Sequence, residues 1–107
     1  MAKKRELFRI SIHRSGELRR GADVAPCEVV ELTEKGFGLE SALPVTKGEA
    51  IELRFDLTNA WPIQCTIQVS HAAPPRLGGN ITAISPEHQQ SLTRFIDQHT
   101  TINLPGL

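Results

Sequence analysis

Apolar and polar residues alternate along the middle of the chain, and this period of two predicts β-strands with one buried face. The clearest runs cover residues 51–57 and 63–71, where every second residue is mainly apolar. The connection between them contains Asn and Pro, which suit a turn, so the two runs predict a hairpin. His71 continues the apolar face of the second run, and we predict that it points into the protein.

Shorter runs predict more strands on both sides of this hairpin. The glycine at Gly36 is predicted to supply a positive φ in a turn between two of them. Gly16, Gly21 and Pro26 interrupt the pattern, so residues 10–26 are predicted to form a short first strand followed by a mobile loop, and a second loop is predicted over residues 74–79. The predicted bounds of the other strands are 27–33, 37–42 and 80–84.

A helix is predicted over residues 86–99, with Ser85 as its N-cap and Pro86 in its first turn. Its apolar stripe comprises Leu92, Phe95, Ile96 and His99. The predicted fold is therefore mainly β: a small antiparallel (split) β-barrel of about six strands with one C-terminal α-helix. We expect a basic N-terminal segment at residues 1–14, the barrel and helix at residues 8–99, and a flexible tail at residues 100–107.

The length of 107 residues corresponds to one domain. Its formal net charge is zero, yet the first twenty residues hold seven basic and two acidic side chains, and the remainder is net negative. This asymmetry indicates an anionic partner at the N-terminus, and a solvated basic tail is the alternative interpretation.

No apolar stretch approaches the ~20 residues that a membrane helix needs, so we predict a cytoplasmic protein without membrane insertion. Cys27 and Cys65 lack metal-ligand or disulfide spacing and are predicted to be reduced and buried. Trp61 is predicted to pack at a hairpin end, with an exposed partner contact as the alternative. The histidines, serines and cysteines form no recognisable catalytic or metal motif, so the chain is predicted not to be an enzyme.

Two arginines four positions apart, Arg5 and Arg9, provide the main functional clue. Alternate side chains of an extended segment share a face, so these guanidinium groups would lie roughly 13 Å apart and could hold phosphate groups together. They belong to the segment Lys4-Arg5-Glu6-Leu7-Phe8-Arg9, and a second segment, Glu31-Leu32-Thr33-Glu34-Lys35-Gly36, follows.

The order and spacing of these segments resemble the PilZ domain family, a bacterial receptor module for cyclic di-GMP, and the resemblance covers nearly the whole chain. The first family motif is Arg-x-x-x-Arg, often preceded by a basic residue. The second has Asp or Asn, any residue, Ser or Ala, two further residues and Gly. Glu31 and Thr33 depart from this second motif, whereas Gly36 matches it.

The resemblance implies that the arginines hold phosphates and contact guanine, and that an acidic residue accepts hydrogen bonds from the guanine edge. The implied ligand-binding residues are Lys4, Arg5, Arg9, Glu31, Thr33 and Gly36. Glu31 keeps the carboxylate but extends it by one methylene, and Thr33 keeps a hydroxyl but adds a methyl group. Loss of one well-aligned charged hydrogen bond would cost about 1.5 to 3 kcal/mol of binding free energy.

The leading hypothesis is a receptor or adaptor that binds cyclic di-GMP, with no other cofactor, and orders its N-terminus toward a separate protein effector. A protein-interaction module of pilus or motility machinery that does not bind the nucleotide is the alternative. A third hypothesis, binding of RNA or single-stranded DNA through the basic N-terminus, is disfavoured because aromatic residues are few and the net charge is zero. We therefore predict no nucleic-acid polymer as a partner.

Overall fold

The computed structural model describes residues 9–33, 36–57 and 61–102, which form a closed antiparallel barrel followed by one helix. Around the barrel the strands follow the order β1-β2-β3-β6-β5-β4. The predicted mainly β fold with a C-terminal helix is therefore confirmed. Its elements are β1 (Arg9–Arg20), β2 (Asp23–Thr33), β3 (Gly36–Ser41), β4 (Ala50–Asp56), β5 (Pro62–Ala73), β6 (Arg76–Ile84) and α1 (Pro86–Ile102).

The first two strands form a long hairpin, and the mobile loop predicted within residues 10–26 is wrong. Arg20 pairs with Asp23, so only Gly21 and Ala22 lie between the strands. Gly21 has a φ of 60°, which suits the first position of a type II′ turn. This turn matches the twist of the two strands and allows their pairing to continue up to the connection.

A glycine within β1, predicted to be a strand breaker, allows the barrel to close. Gly16 pairs with Cys27 of β2 on one side and with Phe55 of β4 on the other. A Cβ atom on Gly16 would lie only 2.7 Å from the carbonyl oxygen of Arg54. The missing side chain therefore permits the close contact between the first strand and β4.

Gly36 is required for a different reason from the one predicted. Its φ is not positive, and it begins β3 opposite Asn80 of β6. A Cβ atom on Gly36 would overlap the carbonyl oxygen of Gly79 and lie 2.8 Å from its carbonyl carbon. Close backbone approach, rather than turn conformation, accounts for glycine at this position.

The loop predicted over residues 74–79 is much shorter in the structure. Only Pro74 and Pro75, joined by a cis peptide bond, separate β5 from β6. Gly79 lies within β6, where a Cβ atom would be 2.7 Å from Cδ1 of Ile67 in the barrel interior. Gly79, one of the glycines that suggested a loop, instead makes room for a neighbouring side chain within the sheet.

Inward-facing apolar side chains from all six strands fill the barrel. Phe37 and Phe55 meet edge to face with ring centroids 5.4 Å apart. Cys27 and Cys65 are buried free thiols, as predicted. Burial raises the pKa of Cys27 to about 11 and the pKa of Cys65 to about 12, so both remain protonated near neutral pH.

The helix begins as predicted, because the backbone N–H of His88 donates to the Ser85 hydroxyl at 3.2 Å. Leu92 and Phe95 are buried against the barrel. The helix continues past the predicted end at residue 99 to Ile102, and residues 103–107 lie outside the described ranges. Within those ranges, the structure contains no helix with the length and apolar character of a membrane span.

Trp61 lies at the start of the segment that leads into β5. It is partly buried and packs against the hydrophobic core, in agreement with the predicted hairpin-end position. Its carbonyl oxygen accepts a hydrogen bond of 2.9 Å from the backbone N–H of Leu57. This bond fastens the end of β4 to the beginning of β5.

Candidate functional site

The pairing of β1 with β2 brings the end of the arginine motif next to the second motif. Arg9 is the first residue of β1, and its backbone lies opposite Thr33. The side chain of Arg9, together with all of Lys4 and Arg5, lies outside the described residues. The predicted roles of these three side chains therefore stay predictions.

Thr33 holds the connection between β2 and β3. Its hydroxyl accepts a hydrogen bond of 3.1 Å from the N–H of Gly36 and donates to the carbonyl oxygen of the same residue at 3.3 Å. Side-chain bonds of this kind stabilise the backbone conformation of a turn. Thr33 and Gly36 thus fix the geometry at the edge of the site.

Glu31 follows a β-bulge in β2 and lies opposite Gly38 of β3. A Cβ atom on Gly38 would be 3.1 Å from Oε1 of Glu31 and 3.1 Å from its Cβ, so the glutamate side chain lies across the glycine. The extra methylene of Glu31, compared with the aspartate of the motif, is accommodated because Gly38 has no side chain.

A cavity of about 420 Å³ opens on the outer surface of β2, β3, β6 and β5. Its floor includes Gly38 and Gly78, which lie opposite each other on neighbouring strands. Because neither residue has a side chain, the backbone is accessible between the flanking strands. We call this cavity the glycine groove; its polar lining includes Glu31, Thr33, Ser70, His71, Arg76 and Asn80.

His71 lines the glycine groove, so the prediction that it points inward is wrong. A register shift in β5 between Val69 and His71 adds one residue relative to β6. One extra residue reverses the alternation of inward and outward side chains. Ser70 and His71 are consequently both exposed.

The described lining of the glycine groove carries one acidic side chain, Glu31, and one guanidinium group, Arg76. The carboxylate can accept two hydrogen bonds from a polar ring, and the guanidinium can donate to an anion. His71, Ser70 and Asn80 add groups that can donate or accept. The arrangement suits a ligand that combines planar polar rings with negative charge.

Two residues that the sequence predicts to bind ligand, Glu31 and Thr33, line the groove. Sequence reasoning missed most of the other lining residues. Arg76, Gly78 and Asn80 were assigned to a loop or to a short strand, and His71 to the barrel interior. The spacing of Gly36 and Gly38, two positions apart, was a usable signal. In a strand, this spacing places both glycines on one face.

Comparison with known proteins relates the sequence to one family and the fold to a solved structure. The family model described as "PilZ domain" matches residues 3–98. The solved structure of the Bacillus subtilis inhibitor of motility (MotI/DgrA) is similar, with a TM-score of 0.78 and 14% sequence identity. The match covers 95% of this chain and 53% of that protein, so the chain spans about half of its length. No curated protein sequence gives a match.

Proposed function

The chain belongs to the PilZ domain family, and we propose that it binds cyclic di-GMP in the glycine groove with the help of its N-terminal arginines. PilZ domains are binding and adaptor modules rather than enzymes, and the family includes receptors for this nucleotide. The ligand offers both chemical features that the groove suits: planar guanine bases and negatively charged phosphates.

The observation that supports this proposal most strongly is the position of Arg9 opposite Thr33. Thr33 lines the glycine groove, so β1 begins at the edge of this groove. In the proposed complex, Arg5 and Arg9 bind the phosphates, and Lys4 adds positive charge.

Glu31 accepts hydrogen bonds from a guanine in this proposal. Its carboxylate lies at the wall of the groove, across Gly38, and can accept from two neighbouring N–H groups. Thr33 and Gly36 support it indirectly, because their hydrogen bonds fix the end of β2. Ligand binding orders the N-terminal segment, and the ordered segment is recognised by a separate protein effector in the cytoplasm.

Calorimetric titration of cyclic di-GMP into the purified protein tests the proposal. Arg9→Ala should weaken binding about 10- to 100-fold, as expected for the loss of a charged hydrogen bond. Arg54→Ala, which removes an exposed arginine from β4 on the other side of the barrel, is the matched control and should bind like the wild type. Unchanged binding by Arg9→Ala would contradict the assigned site.

A second pair of variants tests the guanine contact. Glu31→Gln keeps the length of the side chain but replaces one acceptor oxygen with a donor, and should weaken binding about tenfold. Glu40→Gln makes the same change at an exposed position of β3 that does not line the groove, and should have no effect. Equal affinities for both variants would exclude Glu31 as a ligand contact.

A protein-interaction module that does not bind the nucleotide is the second candidate. Two observations favour it: the Thr33 hydroxyl is engaged in the β2–β3 connection, and the similar solved structure is that of an inhibitor of motility. In that case the wild-type protein would give no heat with cyclic di-GMP even at high micromolar ligand concentration. Binding would then have to be sought with proteins of the motility machinery.

A further inference from the structure

Four residues on four neighbouring strands form one row across the glycine groove. Glu31 lies opposite Gly38, Gly38 opposite Gly78, and Gly78 opposite His71. With neighbouring strands about 4.8 Å apart, the backbones of Glu31 and His71 are separated by about 14 Å along the sheet. The row therefore has a polar side chain at each end, and the two glycines between them add no side chain of their own.

The outward direction of His71 depends on the bulge in β5. The extra residue lies opposite the pair Gly78 and Gly79, where the register shifts between Val69 and His71. Bulges often redirect a side chain next to a functional site. Here the bulge moves the imidazole from the apolar face of β5 to the wall of the groove, with Cβ of His71 3.8 Å from the Cβ position of Gly78.

The two ends of the row differ in hydrogen-bonding chemistry. The Glu31 carboxylate only accepts, whereas the imidazole of His71 has an N–H that donates in either protonation state. Guanine has the complementary arrangement, with donors at N1 and N2 on one edge and the acceptor N7 on the opposite side of the ring system. A guanine in the groove between these two side chains can therefore bond to Glu31 and His71 at once.

We propose that His71 is a specificity-determining residue that donates a hydrogen bond to N7 of a guanine held by Glu31. This inference rests on the proposed function and adds a second contact to the same base. It assigns a role to a side chain outside both sequence motifs. It also explains why the groove has a bulge where the strand pattern predicts an inward-facing residue.

The test compares cyclic di-GMP with its 7-deaza analogue, in which carbon replaces N7 and the acceptor is lost. The wild-type protein should bind cyclic di-GMP about five- to tenfold more tightly than the analogue, as expected for one hydrogen bond. His71→Ala should bind the two ligands equally. His71→Gln, which restores a donor, should recover part of the preference.

Two further variants separate this inference from the proposed function. Arg9→Ala should lower the affinities for cyclic di-GMP and its analogue by the same factor, because the two ligands have the same phosphates. The ratio of the two affinities should therefore stay at the wild-type value. His13→Ala removes an exposed histidine of β1 that does not line the groove and whose Nδ1 lies 2.9 Å from Oε2 of Glu28. This variant should change neither affinity.

The possible failures are distinguishable. A wild-type protein that binds neither ligand contradicts the proposed function. A wild-type protein that binds both ligands equally, or a preference that survives in His71→Ala, overturns the role of His71 and leaves the proposed function intact. Because His71 is exposed, the variants should fold, and circular dichroism checks this directly.

Discussion

The two sides of the barrel are built from similar strands but have different outer surfaces. Across β1 and β4, Glu17 lies opposite Arg54, so long side chains of opposite charge cover the sheet. Across β3 and β6, the corresponding outward positions hold Gly38 opposite Gly78, and neither residue has a side chain to cover the sheet. The candidate binding site on this fold thus exists mainly because glycines occupy these outward positions.

The glycine side itself contains two kinds of glycine. Gly36 has no room for a side chain, because a Cβ atom would overlap the backbone of Gly79. Gly78 has room, since the nearest atom to its Cβ position is the Ser70 hydroxyl at 3.5 Å. The first kind is required for folding, and we expect the second kind to be required for ligand binding.

Gly36→Ala should have the largest effect of the changes considered, because β3 and β6 must separate to relieve the overlap. We expect the free energy of unfolding to fall by more than about 3 kcal/mol. Gly21→Ala is a suitable control: its φ of 60° is unfavourable for alanine, but nothing lies within 4 Å of its Cβ position. The free energy of unfolding of Gly21→Ala should fall by about 1 kcal/mol. A urea titration in which Gly21→Ala is less stable than Gly36→Ala would contradict the role assigned to the close contact at Gly36.

Gly78→Val should separate binding from stability. A valine at this outward position meets only ordinary van der Waals contacts at its Cβ, so the free energy of unfolding should change by less than about 1 kcal/mol. The side chain would occupy the floor of the groove and lower the affinity for cyclic di-GMP about tenfold or more. Calorimetry measures the affinity and urea unfolding measures the stability of the same sample. Unchanged affinity would show that the ligand does not contact the floor of the groove.

On the charged side, Arg54→Glu would place two acidic residues opposite each other on β1 and β4. Like charges in cross-strand pairs destabilise by less than about 1 kcal/mol, and salt should reduce the effect. Affinity for cyclic di-GMP should stay at the wild-type value. A clear loss of affinity would mean that the two sides are not independent.

The smallest effect is expected from the acid titration of Glu49, just before β4. Its carboxylate accepts hydrogen bonds from the Thr46 N–H at 2.9 Å and from Arg20 at 3.1 Å, and both lower the pKa of Glu49 from its usual 4.5. A lowered folded-state pKa means that this contribution to stability is present above the unfolded-state pKa and is lost as pH falls through the folded value. In urea unfolding at decreasing pH, Glu49→Gln should therefore lose less stability than the wild type.

The sequence predicts those strands best whose burial alternates without interruption. In β4, every second residue from Ile51 to Phe55 is buried, as the apolar pattern indicates. The β1–β2 hairpin was missed because Gly16 and Gly21 were interpreted as breakers. Only the three-dimensional pairing reveals that Gly16 is needed at a close contact with β4.

The candidate site likewise combines residues that the sequence indicates with residues whose positions only the folded structure reveals. The family motif names Glu31, Thr33 and Gly36, which are near one another along the chain, and Glu31 and Thr33 line the glycine groove. His71 and Gly78 come from later strands, and their positions depend on a bulge and on strand register. A single sequence specifies neither directly, since a shift of one residue reverses every side chain of a strand.

The position of Trp61 gives the protein a built-in optical probe. The chain has one tryptophan and no tyrosine, so its near-ultraviolet fluorescence comes almost entirely from one indole. That indole packs against the core at the junction of β4 and β5, where unfolding would expose it to water and shift its emission to longer wavelength. Because the signal has a single source, a disagreement between fluorescence and circular dichroism during unfolding would reveal an intermediate in which this junction opens separately from the rest of the barrel.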